Sequence, residues 1–200
     1  MAAPIHAEVP AADELVWLRR AVFVLVRPRE VLEGLRDDTN AVARARSEAV
    51  LAMVMLAGIA SVLWTPVATT LMDVKGPHAQ DGLEVAIWAF LGGSVYGAAA
   101  YFVGGLVLYA VTRISGGVTY RQSRHLLAFA SAPIALSLLL VWPVRLAAYG
   151  EDLFRSGGSD HGAGNAAFIA LELLFAAWSL ALLVMGLRTL IRRDPPFKRL

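Results

Sequence analysis

Glu172 is the only acidic residue well inside a long apolar stretch, so chemistry is sought there first. An ionised carboxylate in hydrocarbon is costly, and such a group marks a proton relay, a substrate site or a buried partner. Counted inward at ~1.5 Å per residue, Arg145 on the preceding stretch falls within about one helical turn of the same depth. An ion pair between Arg145 and Glu172 is therefore the first expectation, with a proton-coupled transport site as the sharper alternative. One acid without a polar path across the other stretches makes a poor relay, which favours the pair. The second candidate is the loop Ile114 to Pro133. There Gly116 and Gly117 allow a tight turn, Thr119 and Tyr120 can cap the helix that follows, and Arg121, Gln122, Arg124 and His125 open that helix. A phosphate-binding nest would need the phosphate-loop pattern with its Lys and Ser or Thr, which is missing. A turn at the membrane surface, its arginines facing anionic head groups, accounts for these residues without it.

Other chemistry has little to stand on. There is no G-x-S-x-G, no H-E-x-x-H and no set of paired carboxylates on one apolar stretch, so no enzyme is expected. His78 and His161 have no ligand spacing, and metal binding is not expected of them. The absence of cysteine excludes disulfides, thiolate metal sites and a cysteine nucleophile. No cofactor is implied. The formal charge is only +2, which by itself gives no argument for nucleic acid.

The elements that must position Arg145 and Glu172 are helices in lipid. Hydrophobic residues make up 58% of the chain and charged residues 17%, against about 45–50% and about 25% in soluble domains. Four stretches carry the roughly 20 apolar residues that a crossing requires. They run over about 48–72, 84–112, 125–149 and 165–191. Pro66, Pro133 and Pro143 fall inside them, and in a membrane bundle neighbouring helices or the hydroxyls of Ser131 and Ser137 can satisfy the freed carbonyls. Trp64, Trp88 and Trp142 lie near the expected interfaces. The reading is an all-α polytopic bundle over 47–192, preceded by a flexible tail (1–12) and a basic amphipathic segment (13–46), and followed by a basic tail (193–200).

Orientation follows from Lys and Arg, which are retained in the cytoplasm when they flank a span. Arg19, Arg20, Arg27, Arg29, Arg36, Arg44 and Arg46 precede the first span; Arg113, Arg121 and Arg124 lie between the second and third; Arg188, Arg192, Arg193, Lys198 and Arg199 follow the fourth. Only Lys75, Arg145 and Arg155 remain for the other side, where Asp73, Asp81, Glu84, Glu151, Asp152 and Asp160 dominate. The alternation across every span predicts four crossings with both termini cytoplasmic. Arg19 and Arg20 interrupt the first apolar patch, so a cleaved signal peptide is not expected.

Two contact surfaces stand out. Leu15, Leu18, Val22, Leu25 and Val26 recur at helical spacing and are too few to span; Val31, Leu32 and Leu35 form a second short face after Pro28. These predict amphipathic helices that lie in the interface or pack on a partner protein. In the second span, Gly93 and Gly97 form G-x-x-x-G, and Ala100 and Gly104 repeat the small-residue spacing. They serve either packing within the bundle, the simpler reading, or a dimer interface or hinge.

The order of these features resembles bacterial members of the Yip1 domain family: the basic start RPREVLEGLRDD (Arg27 to Asp38), a first span, a glycine-rich second span, then GGVTYRQSRHLLAFASAP (Gly116 to Pro133). In that family a glycine turn, an aromatic and a Gln precede a helix with a small-residue and proline step; Gly116, Gly117, Tyr120, Gln122, Ala130, Ser131, Ala132 and Pro133 match it. The resemblance implies membrane integration, carries no catalytic residues, and in eukaryotic members goes with five spans and small GTPases. Four spans depart from that pattern, and the GTPase partners are not transferred. The expected role is a non-enzymatic membrane protein that organises or associates with other membrane components, with the bilayer and its anionic head groups as partners and a membrane-protein partner or a second copy as further candidates. The alternative is a small permease using Glu172. Arg outnumbers Lys and Ala is abundant, which points to a bacterial plasma (inner) membrane.

Overall fold

The computed structural model describes residues 16, 19–20, 22–65, 70, 73, 81–114, 118–156 and 162–191. Every regular element among them is helical. These are α1 (Pro28–Glu33) with a 3-10 turn at Gly34–Arg36, α2 (Asn40–Ala45), α3 (Ser47–Leu63), α4 (Gly82–Ala99), a π-helical turn at Ala100–Gly104, α5 (Gly105–Arg113), α6 (Tyr120–Ala130), α7 (Ala132–Tyr149) with a 3-10 turn at Gly150–Phe154, and α8 (Ala163–Ile191). The all-α class is thus shown.

Side chains at the element ends explain where helices start and stop. Asp81 Oδ1 accepts the Glu84 N–H at 2.9 Å and caps α4. Thr119 and Gln122 form a reciprocal capping box at the start of α6, Thr119 Oγ1 accepting the Gln122 N–H and Gln122 Oε1 accepting the Thr119 N–H. Pro28 and Pro133 sit in the first turns of α1 and α7, where a missing N–H costs nothing. Gly150 closes α7 with φ +58°, a conformation that side chains disfavour.

Three continuous rods are long and apolar enough to cross a membrane: Gly82–Arg113, Tyr120–Tyr149 and Ala163–Ile191, with 32, 30 and 29 residues. Each exceeds the roughly 30 Å hydrocarbon core at ~1.5 Å per residue. α3, with 17 residues, reaches about 25 Å. The first stretch was expected to run through Pro66 to Met72; its described helix ends at Leu63, and Pro66 lies outside the described residues. The third was expected from about His125, yet its rod begins at Tyr120, because the capping box starts the helix one turn earlier.

The apolar surface is arranged for lipid. Along Tyr120–Tyr149 half of the apolar window is buried, against 17% along each of the other two rods, so this rod is the central one. Ile87, Phe90, Leu91 and Val95 on α4, Phe102 and Val103 in the π-helical turn, and Leu106 and Val107 on α5 all face outward. Such a continuous exposed apolar face is foreign to a protein surrounded by water.

Val31, Leu32 and Leu35 do not face the interface or await a partner. They are buried in the chain's own core, with Leu126 and Phe129 of α6 and Leu182 of α8. The apolar face of α1 has found its burial at the ends of two long helices, about 25 cal/mol for each Å² removed from water. Just before it, Val22, Phe23 and Val26 remain exposed while Val24 joins the core.

Candidate functional site: the basic end of the bundle

The polar residues before α3 and those opening α6 meet at one end of the bundle. Asp38 is the hub. Its carboxylate takes the Arg46 Nη2 at 3.1 Å, the Arg121 Nε at 2.8 Å and the Thr119 hydroxyl at 2.7 Å. Arg121 also donates to the Asp38 carbonyl at 2.9 Å and to Asn40 Oδ1 at 2.8 Å. Gln122, whose Oε1 is spent in the capping box, uses its Nε2 on the Arg36 carbonyl at 3.1 Å. Arg36 in turn donates to the Thr189 carbonyl near the end of α8, through Nη2 at 2.8 Å.

Arg46 is fully buried. Burial pulls its guanidinium below the ordinary pKa, and the Asp38 carboxylate acts against that shift. The neighbouring Asp37 is held below the usual carboxylate range chiefly by the Thr39 N–H, which donates to it at 3.0 Å. One partly buried carboxylate therefore serves two guanidinium groups, with the Asp37 charge also acting on Arg46.

Arg124 and Tyr120 take different tasks. The Arg124 guanidinium carbon lies 4.7 Å from the Tyr120 ring centre and 5.2 Å from those of Tyr101 and Phe102, three faces for one cation. The Tyr120 hydroxyl donates to the Phe102 carbonyl at 3.0 Å, inside the π-helical turn. The same carbonyl also accepts the Gly105 N–H, so the hydroxyl adds a second bond at the π-helical turn. His125 stacks on Tyr101 at 6.5 Å between ring centres. Gly116 and Gly117 lie outside the described residues.

The small residues of the second rod face inward to different degrees. A Cβ on Gly97 would strike the Val54 carbonyl oxygen, and one on Gly93 would come within 2.5 Å of the Ile59 Cα. From the other side, a Cβ on Gly58 of α3 would stand 2.7 Å from the Gly97 Cα. α3 and α4 thus touch backbone to backbone, as small residues permit. A Cβ on Gly104 would meet Leu127, while Ala100 is exposed. Gly58 contributes to the contact without having been singled out in the sequence, although its type and its place in an apolar stretch were visible.

At the far end, Arg145 and Glu172 are both buried but do not form the expected ion pair. Arg145 Nη2 donates to Asn165 Oδ1 at 2.9 Å, and its guanidinium carbon lies 5.3 Å from the Trp142 ring centre. Glu172 Oε1 has no hydrogen-bond partner, while the carboxylate still feels the Arg145 charge and the Ser137 hydroxyl, which also donates to the Ile134 carbonyl at 2.9 Å. The bond to Asn165 uses one nitrogen only, and the buried Arg145 Nε has no hydrogen-bond partner. Among the described residues no group of His, Asp or Glu could hold a metal ion, and His78 and His161 lie outside them.

Asp38, Asn40, Arg46 and Asn165 escaped the sequence reading as site residues. Asp38 carried a faint signal, an acid set among arginines, whereas Asn165 carried none. No curated protein and no solved structure matches the chain. The Yip1 domain model matches residues 22–197, from the exposed apolar turn before α1 through the whole bundle. With its membrane-length apolar rods and a fold in which the amphipathic start is built into the bundle, this chain is a membrane protein that belongs to the Yip1 domain family.

Proposed function

We propose that the protein is a four-span, non-enzymatic membrane protein of the bacterial plasma membrane, with both termini in the cytoplasm, that organises or associates with other membrane components. The observation that carries this reading is the division of its surfaces. At the basic end Asp38, Thr119, Arg121 and Gln122 bond to one another and to the backbone of the cluster. Its outward faces, by contrast, are wide and apolar along α4 and α5, and Val22, Phe23 and Val26 add an exposed apolar turn beside the arginines. Such a molecule offers lateral contact surfaces rather than a reactive cleft. Four spans are supported by the alternation of basic and acidic flanks and by α3, whose apolar residues continue the pattern of the three longer rods.

Cross-linking in native lipid followed by mass spectrometry tests the reading. A reproducible membrane-protein partner, or a second copy of the chain, contacting α4 or residues 22–26 is expected. No reproducible neighbour, together with solute or proton flux in liposomes that is lost in Glu172→Gln, would replace this role with transport.

A further inference from the structure

Beside the Asp38 cluster lies a polar pocket of about 330 Å³ lined by Asn40, Ala43, Arg44, Ser47, Arg121 and His125. Its walls are two helical faces, residues 40, 43, 44 and 47 on α2 and the start of α3, and residues 121 and 125 one turn apart on α6. The volume lies at the small end of the roughly 300–1,000 Å³ of small-molecule sites.

The charges around this pocket are unbalanced. Asp38 already serves both Arg46 and Arg121. The Arg44 guanidinium makes no hydrogen bond or ion pair among the described residues and stands on the pocket wall. His125 is only 6% exposed, yet its Nδ1 has no partner. A buried, unpartnered ring nitrogen is a group that needs a polar neighbour. The Arg44 guanidinium, the Asn40 amide and this imidazole line the pocket beside Arg121, whose own nitrogens already bond Asp38 and Asn40.

We propose that this pocket binds a phosphate group, carried either by an anionic phospholipid or by a soluble phosphate compound. Arginine favours this ligand because its planar fork matches phosphate oxygens with two donors at once. The pocket sits between helices at the basic end of the bundle, the setting in which lipid head groups are taken. The proposal needs no protein partner. Its lipid form rests on the orientation given under the proposed function, whereas binding of inorganic phosphate in detergent does not, so the two can fail separately.

The test uses the full-length protein in detergent. Native mass spectrometry measures retention of phosphatidylglycerol against phosphatidylcholine, and phosphorus NMR follows titration with inorganic phosphate. Arg44 is exposed and makes no structural bond, so Arg44→Gln should keep the thermal midpoint of the parent chain. It should lose about tenfold in affinity, the worth of one charge-assisted hydrogen bond. Arg44→Lys should fall between. Arg29→Gln, an exposed change outside the pocket, should leave binding unaltered. Arg44-dependent binding of the lipid, of inorganic phosphate or of both supports the site and tells its source. Equal losses in Arg29→Gln and Arg44→Gln would reduce the effect to diffuse surface charge and overturn the proposal, as would no Arg44-dependent binding of either probe.

Discussion

Asp38 joins three segments of the chain through a single carboxylate, and its removal would leave two arginines without their counter-charge, held only by neutral acceptors. Arg46 is wholly buried and Arg121 partly so. Removing one partner of a buried pair typically costs 3–5 kcal/mol because a desolvated charge remains. Asp38→Ala is accordingly expected to lose about 3 kcal/mol, read as a fall in the thermal unfolding midpoint in detergent. Arg46→Met should lose less, since Asp38 keeps Arg121 and Thr119. At the opposite end the order is different. Arg145 holds Asn165 while Glu172 leaves one oxygen unsatisfied, so Glu172→Gln should leave the midpoint unchanged or raise it. Arg145→Met should lower it by about 1 kcal/mol, since the Asn165 acceptor left without its donor is only partly buried. A drop in Glu172→Gln as large as that in Arg145→Met would restore the direct pairing. Both charged residues were legible as costly and depth-matched. Their actual contacts were not, because hydropathy marks Asn165 as polar without saying which side chain it bonds, and that is decided by Å-scale distances.

Among the elements, the contact of α3 with α4 and the junction of α6 with α7 set the shape of the bundle. Gly58, Gly93 and Gly97 allow two backbones to meet, and any side chain there must push them apart. Overpacking costs typically 1–3 kcal/mol. Gly97→Ala is therefore expected to lower the thermal midpoint, whereas Gly92→Ala, which has open space around its Cβ position, should not. Equal effects of the two changes would mean that helix propensity rather than close packing decides. The G-x-x-x-G spacing was readable and left packing, dimerisation and hinge motion open; the place of Gly58 opposite it depends on how two helices cross. Likewise Pro133 was visible, but its setting was not: backbone bonds run through Ser131, whose N–H donates to the Leu127 carbonyl and whose hydroxyl donates to the Ala128 carbonyl at 2.8 Å, and α7 takes the proline in its first turn. The amphipathic face of Val31, Leu32 and Leu35 was legible in the same partial way. Periodicity states that a face must be covered, and says nothing of whether lipid, a partner or the chain itself covers it.

For the whole molecule, orientation is the property that most constrains function. The chain has no cysteine, so single introduced thiols report cleanly. Ser156→Cys, at the acidic end, should react with a membrane-impermeant maleimide applied to intact spheroplasts, and Ile114→Cys, at the basic end, only after permeabilisation. The reverse pattern would invert the protein, and labelling of both from outside would contradict a full crossing by Tyr120–Tyr149. What the amino-acid sequence determined by itself was the class and its environment: an all-α chain whose apolar lengths match a bilayer and whose arginines gather at one end. Those properties are sums along the chain, since transfer into hydrocarbon and retention of positive charge depend on local composition. Only the tertiary structure decided that Asp38 meets Arg121 across 83 positions, that α1 is sealed into its own bundle, and that Arg145 passes over Glu172 for Asn165. These are contacts among neighbours that become available only once the helices have packed, because a hydrogen bond acts over a few Å and depends on which side chains the packing brings within reach.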